Sequence, residues 1–201
     1  MYNFHYDSDL TAGSLQVREC RVVAELLLQG VDAERWQLEI QVNNRLQKRS
    51  PATAKRQSRA LRQRLERLDR PFWRVLRDGD EQLATQVAFV AALARNLLLV
   101  EFVEAVVSDA FAVKAEKLEP YLWGSFLEER VERDSKIGNW TESSKKKMGQ
   151  VVLRMLAEVG FVKSTRNPQL QHILVRPEVN GLLDGSCCQR IKKCLNISSA
   201  L

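Results

Sequence analysis

No uncharged run in this chain is longer than thirteen residues, Gln82 to Ala94, where Arg95 ends it. A helix that crosses a bilayer needs about twenty apolar residues, so no transmembrane segment is expected. The opening stretch, Met1 to Leu10, has neither a basic n-region nor an apolar h-region. No secretory signal is expected, and the cytoplasm is the expected compartment. Cysteine is scarce, and Cys20, Cys187, Cys188 and Cys194 lack CxxC spacing, with only His172 near the last three. Disulfides and a zinc site are both disfavoured. Histidine is scarcer still: neither His5 nor His172 stands beside a Cys or Ser as a base beside a nucleophile would. There is no phosphate-cradling Gly-rich loop and no dinucleotide fingerprint. The acids Glu128, Glu129 and Glu132 fall on a helix and read as a solvated face rather than a metal pair. The expectation is a protein that is not an enzyme and carries no cofactor or metal.

Acids are also nearly missing from one region where bases are dense. Between Arg45 and Arg77 twelve Lys and Arg stand against Glu66 and Asp69 alone, a local charge of +10 that exceeds the +6 of the whole chain. The rest of the chain is therefore about −4, so the positive charge is concentrated rather than spread. Concentration of this kind marks a polyanion-binding surface, because each neutralised phosphate releases condensed counterions. A merely solubilising face would interleave Glu at i and i+4, where it supports a helix.

At the centre of this region Ser50 is an N-cap candidate with Pro51 at the first helical position, and no further Pro or Gly interrupts the pattern to Leu68. At 100° per residue Ala54, Leu61, Leu65 and Leu68 share one face, while Lys55, Arg56, Arg59, Arg62 and Arg67 lie opposite. One face packs and the other is cationic. Two helices precede it. The first begins near Asp9 or Thr11, carries Leu15, Val22, Val23, Leu26 and Leu27, and stops at Gly30; the second is capped by Asp32 and runs to about Leu46 with Trp36, Ile40 and Val42. Three helices with short connections, the last one cationic, have the layout of a helix-turn-helix reader.

Asp69 to Pro71 breaks the pattern, a short helix covers Phe72 to Leu76, and Asp78-Gly79-Asp80 turns the chain into a scaffold from Glu81 to about Lys117. This scaffold is one long helix or two broken near Arg95-Asn96, apolar around most of its circumference. A helix from Tyr121 to about Ser135 follows, packed through Leu122, Trp123, Phe126, Leu127 and Val131, then a loop at Lys136 to Asn139. The stretch Trp140 to Val162 restates the basic segment at an offset of 91: Thr141 falls on Ser50, Ser144 on Thr53, Lys146 and Lys147 on Lys55 and Arg56, and Val152, Leu156 and Val159 on Leu61, Leu65 and Leu68. After it, Phe161 to Val175 reads as a β-hairpin turning at Pro168, and Glu178 to Asn196 as short helices. The expected fold is mainly α: a helical bundle with an N-terminal helix-turn-helix-like part (1–78), a central scaffold (79–135) and a C-terminal winged-helix-like part with one short hairpin (136–201).

Three segments carry a family resemblance: Thr11 to Leu28, Asn44-Arg-Leu-Gln-Lys-Arg-Ser-Pro-Ala-Thr-Ala-Lys-Arg56, and Trp140 to Phe161. With these the chain resembles the BrxA proteins of bacterial BREX phage-defence systems along nearly its whole length, the middle motif being the most specific. The resemblance implies a small, nearly all-helical cytosolic protein with helix-turn-helix elements, similar in part to the NusB-like RNA-binding fold, that binds double-stranded DNA without catalysing a reaction. It also implies other BREX subunits as partners. Family members have been labelled inner-membrane proteins as well, and Arg95, Glu101 and Glu104 argue against that here.

For duplex DNA the expected phosphate contacts are Lys48, Arg49, Lys55, Arg56, Arg59 and Arg62, with Ser50 and Thr53 and the N-terminal amides of their helix fixing orientation. Lys145, Lys146 and Lys147 are the weaker counterparts on the second helix. The alternative reading is an RNA-binding or protein-interaction adaptor, for which Phe72 and Trp73 beside the basic helix would be anchors.

Overall fold

In the computed structural model, residues 5–185 and 188–198 are described; Tyr2 to Phe4 of the aromatic entry segment and Cys187 lie outside them. The protein is mainly helical, and its contacts divide it into two compact units, Leu15–Arg95 and Met1–Ser14 with Asn96–Leu201.

The first unit opens with α1, Val17–Gln29. It starts later than expected because Gly13 (φ 138°) and Gln16 (φ 53°) leave the helical region, so Asp9–Ala12 forms only a separate 3-10 turn. Gly30 ends α1 in the left-handed conformation, its N–H reaching Leu26 O and Leu27 O. The Asp32 carboxylate accepts from Arg35 N at 2.7 Å and starts α2, Ala33–Gln37, which continues as a π-helical turn, Leu38–Val42, rather than running on to Leu46. The chain leaves the helix because Asn44 (φ 47°) clamps Lys48: its Nδ2 donates to Lys48 O at 2.8 Å and its Oδ1 accepts from Lys48 N at 2.9 Å. Val42 is 70% exposed, whereas Ile40 is buried.

The Ser50 hydroxyl then accepts from Thr53 N at 3.2 Å and starts α3, Pro51–Leu65. Ala54, Leu61, Leu65 and Leu68 are buried as the periodicity requires, together with Ser58 and Arg64. Next come α4, Arg70–Asp78, and α5, Glu81–Arg95, whose first turn is capped by Asp80 Oδ1 accepting from Leu83 N at 2.8 Å. α1, α3 and α4 all pack on α5. α5 is apolar on most sides and buried from Leu83 to Leu93 except at Thr85.

The second unit begins at the break in the apolar scaffold. Asn96 is extended, and its side-chain oxygen caps α6, Leu97–Phe102, by accepting from Leu99 N at 3.1 Å. A π-helical turn, Val103–Val107, and α7, Ser108–Ala112, continue it, so the scaffold ends before Lys117. α8, Leu122–Val131, packs through Trp123, Phe126 and Leu127; their rings cluster on Phe102, with Phe102–Trp123 and Phe102–Phe126 centroids 5.2 and 5.3 Å apart. The expected loop at 136–139 is a 3-10 turn, Ser135–Asn139, that buries Ile137. α9, Glu142–Val159, follows and stops at left-handed Gly160. α10, Pro177–Asp184, and α11, Gln189–Leu195, complete the unit and are tied by Asn196 Nδ2 donating to Asn180 Oδ1 at 3.1 Å.

The hairpin expected over 161–175 is corrected. Among the described residues no strand forms a ladder; the pairing is reduced to two antiparallel bridges, Val162 with Leu170 and Lys117 with Gln169. Pro168 has no N–H to give, and the N–H of Ile173 is taken by Ser198 Oγ at 3.2 Å while His172 Nδ1 lies 2.6 Å from Ser198 O. The N–H of Ile173 is therefore satisfied by Ser198 rather than by a partner strand.

Buried carboxylates secure the N-terminal segment of this unit. Tyr6 N donates to Asp134 Oδ2 at 2.8 Å and Tyr6 OH donates to Glu101 Oε2 at 2.9 Å; Arg130 Nε (2.7 Å) and Arg133 Nη1 (3.0 Å) complete the shell of Glu101. Burial works against the charge of Glu101, but the hydrogen bonds from Arg130 and Tyr6 outweigh it and hold the carboxyl below the usual range. Burial likewise opposes Asp134, and the amides of Tyr6 and Lys136 overcome it. Both carboxyls titrate lower folded than unfolded. The stability they supply is therefore complete above about pH 4–5 and is lost as pH falls through their folded values. Glu101→Gln removes the counter-charge of Arg130 and is expected to cost about 3 kcal/mol at neutral pH. It should also flatten the acid limb of the stability profile, checked by urea unfolding at several pH values.

Candidate nucleic-acid interface

The cations of the first unit fall into two sets. Lys48 Nζ is 2.5 Å from Glu19 Oε1 on α1, and Arg45 Nη2 is 2.6 Å from Glu25 Oε2 on the same helix. Arg70 donates to Leu28 O at 2.9 Å, Arg77 pairs with Asp78 at 2.6 Å, and Arg64 is buried. Arg62 bonds Glu66 Oε1 at 2.6 Å and lies over the Trp36 ring. These groups are already paired or buried within the unit. Arg49, Lys55, Arg56 and Arg59 are exposed and have no acid or hydrogen-bond acceptor among the described residues.

The reason lies in the fold of α3. Its buried stripe turns Lys55, Arg56 and Arg59 outward, and the Ser50 cap sets Arg49 just before the first turn. Ser50 and Thr53 bond each other through their hydroxyls (3.0 Å), so their side chains stabilise the helix start. The amides at that end and the helix dipole add a field that favours anions beside the cation row. Arg67, placed by the periodicity on the cationic face, is exposed, and so is Arg74, which only the charge count of the segment contains.

In the second unit the same cap recurs. Thr141 Oγ1 accepts from Ser144 N at 3.2 Å and donates to Ser144 Oγ at 2.9 Å. Lys146 and Lys147 are exposed on α9, whereas Lys145 is tied to Glu142 at 2.8 Å and its carbonyl accepts from Trp123 Nε1 at 3.0 Å. Lys163 and Arg166, exposed on the turn that Ser164 N closes onto Asn167 O (3.1 Å), add two cations that the helical repeat does not reveal. A groove of about 560 Å³ runs between α8 and α9, walled by Trp123, Leu127, Val131, Ile137 and Leu153, with Lys145 and Lys146 on its rim. The two sets of candidates thus lie in separate units: Lys48 to Arg62 in the first, Lys145 to Lys147 in the second.

Of the cysteines, Cys20 donates to Leu15 O at 3.2 Å, and burial pushes the Cys194 thiol up to about 12. The His172 ring packs against Phe111, centroids 5.4 Å apart and planes tilted by 51°. Each has a packing role.

Fold and site together define a class: a mainly helical protein presenting two hydroxyl-capped, basic helices, one in each unit. The family model described as BrxA matches residues 4–185, and the chain belongs to the BrxA family. It is 37% identical over 193 residues to "BREX protein BrxA" of Paramagnetospirillum magneticum, covering 96% of this chain and 97% of that one. It is also 37% identical over 175 residues to the protein of the same name from Escherichia coli O9:H4, covering 87% and 82%. A crystal structure of an uncharacterized protein from Magnetospirillum magneticum superposes with a TM-score of 0.89 at 34% identity, covering 96% of this chain and 98% of that one. No single helix among the described residues is long and apolar enough to cross a membrane.

Where α8 crosses α9, Gly149 is required. A Cβ there would stand 2.6 Å from Trp123 Cδ1 and 2.9 Å from Cγ. Gly149→Ala is expected to cost about 1–3 kcal/mol through overpacking, against the preference of helices for Ala. Urea unfolding of the purified variant checks this.

Proposed function

We propose that the chain is a non-catalytic, double-stranded-DNA-binding component of a bacterial BREX phage-defence system, acting in the cytoplasm. The observation that carries the reading is the division of cations in the first unit. Glu25, Glu19 and Glu66 neutralise Arg45, Lys48 and Arg62, yet among the described residues no acid pairs with Arg49, Lys55, Arg56 or Arg59. An outward row of uncompensated cations repels itself in the free protein, and an array of phosphates removes that repulsion. A site made of cations alone holds phosphate but offers no group to accept a proton or attack a bond, which supports binding rather than catalysis. The BREX assignment rests on the names of the relatives, which also favour other BREX subunits as partners.

Spacing along α3 suits a groove-entering helix: Lys55, Arg56 and Arg59 share its outward face, and the Ser50 cap leaves the preceding Arg49 at the backbone edge. In the second unit, exposed Lys146, Lys147, Lys163 and Arg166 supply further phosphate contacts in this reading.

Fluorescence anisotropy with an unrelated duplex tests the reading. With four phosphates neutralised by the first unit alone, the slope of log K against log salt is expected to be about −4 or steeper. The combined replacement of Lys55, Arg56 and Arg59 by Ala should lower that slope by about three and weaken binding more than replacement of Lys145, Lys146 and Lys147. Both variants should stay folded, since each exposed change is worth within about ±0.5 kcal/mol. A wild-type slope near zero would sink the proposal, and a preference for structured RNA over duplex by more than about tenfold, or 1.4 kcal/mol, would transfer it to the RNA-binding alternative.

A further inference from the structure

Arg62 belongs by sequence to the cationic face of α3, and its surroundings set it apart from that face. Its guanidinium carbon stands 4.6 Å from the centre of the Trp36 ring on α2. Its Nε donates to Glu66 Oε1 at 2.6 Å, just past the end of α3. One flat face is thus covered by an indole and one edge by a carboxylate, with 42% of the side chain still exposed. A guanidinium held in this way has one face and its Nε already engaged and makes a stiff strut, because its planar fork fixes both contacts at once. The strut spans the two helices of the pair at the point where α3 needs it. Arg59 is three residues earlier and therefore on the adjoining strip of the same helix.

We infer that Arg62 is a positioning residue for the DNA contact: it fixes α3 against α2 so that Arg56 and Arg59 meet the duplex at a set angle, and it does not itself hold a phosphate. The inference rests on the DNA-binding reading above.

Anisotropy titrations of the full chain against a duplex, over a range of salt, separate the roles. Arg62→Ala is expected to weaken binding about fivefold with the salt slope unchanged, since the slope counts phosphate contacts and none is lost. Arg62→Lys should be as weak as Arg62→Ala, because an ammonium serves a phosphate as a point charge but cannot reproduce the planar stack. Trp36→Ala should weaken binding to a similar degree, and the double variant no further, as two halves of one contact are not additive. Thermal unfolding of each variant establishes that it is folded at the titration temperature. The assignment is overturned by a slope that falls by about one in Arg62→Ala, by wild-type affinity in Arg62→Lys, by additive losses in the double variant, or by a lowered melting temperature with unchanged affinity. A flat wild-type titration overturns the DNA-binding reading itself and is seen before any variant is compared.

Discussion

Asn96 sits where an apolar segment of more than thirty residues would otherwise form one helix. Its extended backbone stops α5, its carbonyl oxygen caps α6, and its amide donates to Asp9 Oδ1 at 2.6 Å and Asp7 O at 3.2 Å. Three hydrogen bonds from one buried carboxamide thus end a helix, begin another and fasten the N-terminal segment to the second unit. That fastening continues through Tyr6 to Asp134 and Glu101. The division of the chain between Arg95 and Asn96 follows from it, and with it the assignment of each basic helix to a separate unit.

Charge in the first unit is sorted by distance along the chain. Acids of α1, some twenty to thirty residues before their partners, neutralise Arg45 and Lys48, while α3 supplies only Glu66 for Arg62. The cations drawn inward rigidify the turn before α3, assisted by the Asn44 clamp. Those left outward are carried by a helix whose start is fixed by a hydroxyl cap. Paired and outward-facing cations are therefore interleaved in sequence but separated in space.

Local signals were legible in advance: the caps at Asp32, Ser50 and Thr141, the stop at Gly30, the break at Arg95-Asn96 and the buried stripe of α3 all follow from chemistry within one helical turn. What could not be read depends on groups far apart in the chain. The pairing of Lys48 with Glu19 and the stacking of Arg62 on Trp36 need the tertiary fold, so a count of basic residues overstates the cations that face outward. The hairpin failed for a similar reason, since Ser198 takes the N–H of Ile173. The π-helical turns after α2 and α6 leave no mark in the apolar spacing.

Gly149 carries a consequence for the kinship of the two basic helices. At the offset of 91 that aligns their caps, it corresponds to Ser58, which is buried and donates to Lys55 O at 3.0 Å. A serine transplanted to Gly149 would drive its Cβ into the indole of Trp123. The helices share a beginning but not a seat, so neither could stand in for the other, and whatever symmetry their common layout records has been given up at the packing surface while it was kept at the cap.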